Sequence, residues 1–112
     1  MNRQTQMDQT ELARTFAALG DPLRVALISR LQEEGRLSLS ELCTNVVITR
    51  QAVSKHLRTL RAAKLVSYEK TGRETLFRLE IERLKTANQF LDDVASKWDS
   101  TLARLKGKLE AN

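Results

Sequence analysis

The segment Thr49-Arg-Gln-Ala-Val-Ser-Lys-His-Leu-Arg-Thr-Leu-Arg61 constrains this chain most, because its apolar and charged residues sort onto opposite faces of a helix. Ala52, Val53, Leu57 and Leu60 recur at three- and four-residue steps, so they form a stripe that must pack on a core. Arg50, Gln51, Ser54, Lys55 and Arg58 then face outward, and Thr49 offers a hydroxyl to cap the first turn. Upstream, Leu39, Leu42 and Val46 have the spacing of a short helix opening near Ser38 or Ser40, and Val46-Val47-Ile48 leaves room only for a tight connection. Downstream, Val66 to Leu79 reads as two strands around Thr71-Gly72-Arg73, with Gly72 able to take the positive dihedral of a hairpin tip.

Two short helices joined by a turn of about three or four residues and followed by a hairpin make a winged helix-turn-helix, whose second helix enters a DNA major groove. The expected fold class is mainly α with a small β-hairpin and a long terminal dimerisation helix. Charge placement agrees. Residues 50–78 hold eight Lys or Arg and two acids, a net of +6, whereas the rest of the chain holds eleven basic and twelve acidic residues. A surface that only keeps a protein soluble has little reason to gather charge on one helix and hairpin, and a phosphate-binding face needs it there. The aromatics of this patch, Tyr68 and Phe77, fall on strands as packing residues, which argues against stacking on single-stranded bases.

The length of 112 residues suits a single domain spanning 1–112, with residues 1 to about 9 loosely ordered. Leu12, Phe16 and Leu19 mark a first helix ending in a glycine cap near Gly20; Asp21 and Pro22 then open a second, whose buried face is Leu23, Leu27, Ile28 and Leu31 and whose end is Glu33-Glu34-Gly35. From about Ile81 to Leu109 an apolar seam runs through Leu84, Ala87, Leu91, Val94, Trp98, Leu102, Leu105 and Leu109. Such a helix reaches ~40 Å, more than a small domain covers. Helices at about 10–20 and 80–110 are therefore expected to form a dimer interface, and about 38–79 the helix-turn-helix and wing. No apolar run approaches membrane-spanning length, the first eleven residues lack a secretory apolar region, and the single cysteine cannot form an internal disulfide. The expected compartment is a reducing cytoplasm.

Phe16-Ala-Ala-Leu-Gly-Asp-Pro-Leu-Arg24, Leu39-Ser-Glu-Leu42, Gln51 through Arg61, Leu65-Val66 and Gly72-Arg-Glu74 together resemble the ArsR (SmtB-like) family of bacterial winged-helix repressors. The resemblance implies a symmetric homodimer whose two recognition helices read a palindromic double-stranded operator. It carries recognition roles onto Gln51, Ser54, Lys55 and His56, and a wing-tip role onto Arg73. With the outward face read above, the expected DNA-binding set is Thr49, Arg50, Gln51, Ser54, Lys55, His56, Arg58, Arg61 and Arg73. The expected dimer set is Leu12, Phe16, Leu84, Leu91, Val94, Trp98, Leu102 and Leu105. Val47 and Lys64 stand where many members have glycines, which predicts backbone strain or an altered helix end at those points.

The resemblance does not extend to metal sensing. Cys43 lacks a second cysteine, with Asn45 in its place, and the last helix carries Asp92 and Asp93 but no His. Neither familiar site is filled, so no metal or cofactor is expected and the effector is unidentified. No nucleophile, base and orienting group share a motif, so no enzyme activity is expected either; Glu69 and Glu74 read as partners in strand-pair salt bridges. The runner-up reading is a protein-interaction module that uses the long last helix and carries its basic surface incidentally.

Overall fold

A computed structural model describes residues 7–110 of the chain. Residues 1–6, where loose ordering is expected, lie outside the described residues. The elements run α1 (Gln9–Ala18), α2 (Pro22–Glu34), β1 (Leu37–Ser38), α3 (Leu39–Leu42), α4 (Arg50–Ala62), β2 (Val66–Thr71), β3 (Glu74–Leu79) and α5 (Ile81–Glu110). The fold is mainly helical with a small antiparallel sheet in the order β1-β3-β2. It is a winged helix-turn-helix with a long last helix.

Local chemistry sets most of these boundaries. The Asp21 carboxylate accepts from the amides of Leu23 and Arg24 at 2.9 and 3.1 Å, and Pro22 fills the first position of α2, where a missing N–H costs nothing. Gly35 closes α2 at φ 84. Ser38 and Glu41 form a reciprocal capping box at the start of α3, and Thr49 caps α4 by accepting from the Ala52 amide at 3.1 Å. Leu27, Leu31, Leu37, Leu42, Val53, Leu57, Leu60, Leu65, Val66 and Phe77 converge in one core. The predicted stripe of α4 is thus the seam by which that helix is held.

Four expectations are corrected. The first helix ends near Gly20 as expected, but Gly20 is not a left-handed cap: the C-cap of α1 is Leu19, with φ −82, and a side chain at Gly20 would press to 3.3 Å from the Ala17 carbonyl. α3 stops at Leu42 with Cys43 as its C-cap, so residues 43–49 join the two helices in place of a three- or four-residue turn; Asn45 adopts φ 62 within that connection, while Val46 still packs on the core. That is why Val47 needs no glycine conformation, and its side chain stands fully in solvent. Glu69 lies across from Leu76, and its ion pair at 2.6 Å goes to Arg36 ahead of β1. β1 itself, pairing Leu37 with Phe77 and Ser38 with Leu76, has no counterpart in the expected hairpin because two residues show no alternation.

The expected strain at Lys64 is present. Lys64 has φ 61 in a Schellman motif, in which the Leu65 amide bonds the Leu60 carbonyl at 3.0 Å and the Lys64 amide bonds that of Arg61 at 2.9 Å. Lys64→Gly is therefore expected to raise stability by about 0.5–1 kcal/mol, because glycine meets no Cβ penalty in this conformation. A urea midpoint at or below that of the wild type would show the penalty to be absent.

α5 leaves the core after its first turns. Leu84 packs against the core, Ala87 is buried, Arg83 bonds Glu11 at 3.0 Å, and Phe90 meets Phe16 at a centroid distance of 6.1 Å. Beyond them Leu91, Val94, Trp98, Leu102, Leu105 and Leu109 are all exposed. The radius of gyration is 18.8 Å, against about 13 Å for a compact chain of this length, so most of the helix projects free of its own domain.

Candidate nucleic-acid interface

The outward side of α4 and the wing form one basic surface. Gln51, Lys55 and Arg58 are exposed on α4, and Ser54 is half-buried beside them. Thr49 is committed to its cap, which fixes where the helix begins. The Arg50 guanidinium donates to Ser40 Oγ at 3.3 Å, tying the leading end of α4 back to α3. Arg61 lies over the Tyr68 ring at 4.0 Å, and Tyr68 pairs across the strands with Phe77, ring centroids 5.9 Å apart. This cation–π contact orients the Arg61 charge without neutralising it.

Arg73 is at the wing tip. Thr71 pairs with Glu74, so Gly72 and Arg73 make a two-residue loop; the positive φ of 64 at Gly72 fits the Gly-first order of a type II′ turn, whose twist matches the strands. Between α4, the start of α3 and the wing lies a cleft of about 360 Å³, whose lining includes Arg50, Arg61, Lys70 and Arg73 with Glu74 as its acid. Ser40, Lys70 and Thr75 join this lining and are absent from the expected set. Lys70 and Thr75 oppose one another, on the same sheet face as the Tyr68–Phe77 pair, so strand alternation carried the signal for them.

His56 sits apart from the others. Its Nδ1 is 3.2 Å from the Arg24 guanidinium and 3.9 Å from the Asp21 carboxylate, which turns the ring into the α2–α4 seam. Arg24 also donates to the Ala18 carbonyl at 2.6 Å, so the same side chain joins the end of α1 to α4. The Arg24 backbone hydrogen bond holds the Asp21 carboxyl below the usual carboxylate range against the opposing effect of desolvation, and the Leu23 amide and the neighbouring charges of His56 and Arg24 add to the lowering. The Asp21 cap therefore stays ionised at neutral pH.

A larger open depression of about 630 Å³ lies between α1, α5 and β2. It mixes Glu11, Glu80 and Glu82 with Arg61, Lys64 and Arg83, and Arg83 is already paired with Glu11, so it presents no field of one sign. Among the described residues no three His, Cys, Asp or Glu side chains converge as a metal site. Cys43 is half-buried against the core, and Asp92 and Asp93 accept hydrogen bonds from Asn88 and Gln89 on their own helix. No described helix is long and apolar enough to cross a membrane.

Residues 19–69, which hold α2, α3, α4 and the start of β2 but not the wing tip or β3, match the family model described as a helix-turn-helix domain. The transcriptional repressor SmtB of Mycobacterium tuberculosis is 40% identical over 85 residues, covering 76% of this chain and 58% of the relative. The matched part thus spans little more than half of that relative. The regulator Rv2034 of the same organism is 34% identical over 79 residues, covering 70% of this chain and 73% of the relative. Among solved structures, an ArsR-like transcriptional regulator from Rhodococcus sp. RHA1 superposes with a TM-score of 0.78 at 37% identity, covering 87% of this chain and 91% of that one.

Proposed function

This chain belongs to the ArsR/SmtB family of winged helix-turn-helix transcriptional regulators, and from that premise we propose that it binds a palindromic double-stranded operator as a homodimer and represses transcription. The observation that carries this reading is the continuous basic surface formed by the outward face of α4 and the cleft between α4 and the wing. On the opposite side of α4, Val53, Leu57 and Leu60 are buried in the core and anchor the helix that carries this surface. Residues 38–79 form the reading unit in this proposal, and helices at about 10–20 and 80–110 form the dimer.

Roles divide by position. Gln51, Ser54, Lys55 and Arg58 project from α4 toward base edges and adjoining phosphates, with Gln51 suited to paired amide contacts on adenine. Arg50, Arg61, Lys70 and Arg73 meet phosphates and the groove flanking the wing. His56 serves through Arg24 as a positioning group for α4. Repression is proposed to be constitutive, autoregulatory or controlled by an unidentified small molecule.

On a duplex selected from a random library, Gln51→Ala should lose ~1–3 kcal/mol of binding, with a smaller loss on a scrambled duplex. Arg73→Ala should weaken both duplexes alike and lower the magnitude of the salt slope by roughly one. Isotherms across a salt series provide the comparison. Equal losses for Gln51→Ala on the two duplexes would remove its base-reading role, and duplex binding absent at every salt concentration would favour the protein-interaction module built on α5.

A further inference from the structure

Arg24 joins three helices through one side chain. From α2 its Nε donates to the Ala18 carbonyl at 2.6 Å and its Nη2 to the Ala17 carbonyl at 3.4 Å, both at the end of α1, while its Nη1 reaches His56 Nδ1 in α4 at 3.2 Å. A guanidinium has donors and no acceptor, so Nδ1 has to accept, and the ring that makes this bond is neutral with its proton on Nε2. The Asp21 carboxylate stands 3.9 Å from the same Nδ1. We propose that Arg24 positions the reading helix α4 through the neutral ring of His56, so that uptake of one proton by this ring weakens operator binding. The inference rests on the homodimeric operator reading above and adds control by protons to it.

The two charged neighbours from α2 give the ring two alternative partners. A proton on Nδ1 occupies the lone pair that accepts from Arg24 and sets two cations side by side, and the new N–H becomes a donor for the ionised Asp21 carboxylate. α1 contributes the carbonyl oxygens that hold Arg24, and on α4 itself the adjoining Lys55 is exposed. His56 is the single histidine of the chain, and its side chain is 24% exposed, so a proton reaches it in the folded protein. After the exchange Arg24 still holds α1 but no longer holds α4. The reading helix then loses its tie to a helix proposed to join the two copies, and with it one constraint on the spacing of two α4 helices across a palindrome. The sign is diagnostic. A histidine that met a phosphate directly would bind better when charged, whereas a ring that must be neutral to hold α4 binds worse. Affinity is therefore full where the ring is neutral and is lost as pH falls through its titration.

Titrations of the library-selected duplex with the full chain, at constant ionic strength, test the sign. Between about pH 7.5 and about pH 5.5 the dissociation constant should rise by roughly three- to tenfold per reading unit. His56→Asn places an oxygen acceptor near the Nδ1 position and takes up no proton, so the ratio between the two ends of its profile should fall to near one, whatever its affinity at neutral pH. Because that substitution can disturb the α2–α4 seam, the wild type gives a second reading. Calorimetry at about pH 6, in two buffers of different ionisation enthalpy, should show net proton release when the duplex binds. Binding that strengthens or stays level on acidification, proton uptake on binding, or an unchanged profile in a folded His56→Asn protein would overturn the proposal and leave operator recognition intact. Duplex binding absent at every pH would remove both.

Discussion

Leu57→Ala is expected to destabilise the folded chain by about 2–5 kcal/mol, a large part of the ~5–15 kcal/mol available to a domain of this size. Leu57 is 1% exposed, at the middle of the α4 stripe between Val53 and Leu60, which are both at 0%. Truncation removes transfer energy and leaves a cavity in a core shared by α2, α3, α4 and the sheet, which cannot collapse without moving α4. The neighbouring Arg58→Ala, on the exposed side of the same helix, should stay within about 0.5 kcal/mol of wild type. Urea unfolding of the two variants, with equal m-values, makes the comparison. A similar midpoint for both would mean that the stripe does not anchor the helix that presents Gln51, Lys55 and Arg58.

That contrast between two adjacent residues shows why so much of the fold was legible in the sequence. Where a face had to be buried over several turns, as in α2 and α4, periodicity located it, and the caps at Asp21 and Thr49 were legible because a side-chain oxygen before an apolar run has one efficient use. What escaped depended on single residues or on distant partners. The left-handed residue of the α3–α4 connection is Asn45, whereas strain was expected at Val47; β1 exists only because Leu37 and Ser38 lie beside Phe77 and Leu76, and Glu69 finds Arg36 more than thirty positions away. The basic surface divides in the same way. Its α4 members were legible from helical spacing, whereas Ser40, Lys70 and Thr75 enter only when α3 and the wing fold against α4. The orientation of His56 is likewise set by Arg24, a residue of α2 that no reading of the α4 segment alone would bring to it.

Leu102→Glu should separate folding from assembly. In the single chain Leu102 is 56% exposed, on a stretch of α5 that no other element covers, so the substitution should leave the helix content and the unfolding of the winged core nearly unchanged. In an α5-paired dimer the same position is inside, and two-fold symmetry inserts the carboxylate twice. Each copy would face an apolar seam with no cation against it, and desolvating an unpaired carboxylate costs several kcal/mol. Dimer dissociation should therefore rise on the order of a thousandfold or more, leaving a monomer at micromolar concentration. DNA binding should follow, because one reading unit that loses its tethered twin loses an effective-concentration advantage of about 10²–10⁴. Sedimentation equilibrium, circular dichroism and operator titration on one preparation test the whole chain of reasoning. A folded Leu102→Glu protein that remains dimeric with undiminished operator affinity would show that the exposed seam of α5 is not the surface that joins the two copies.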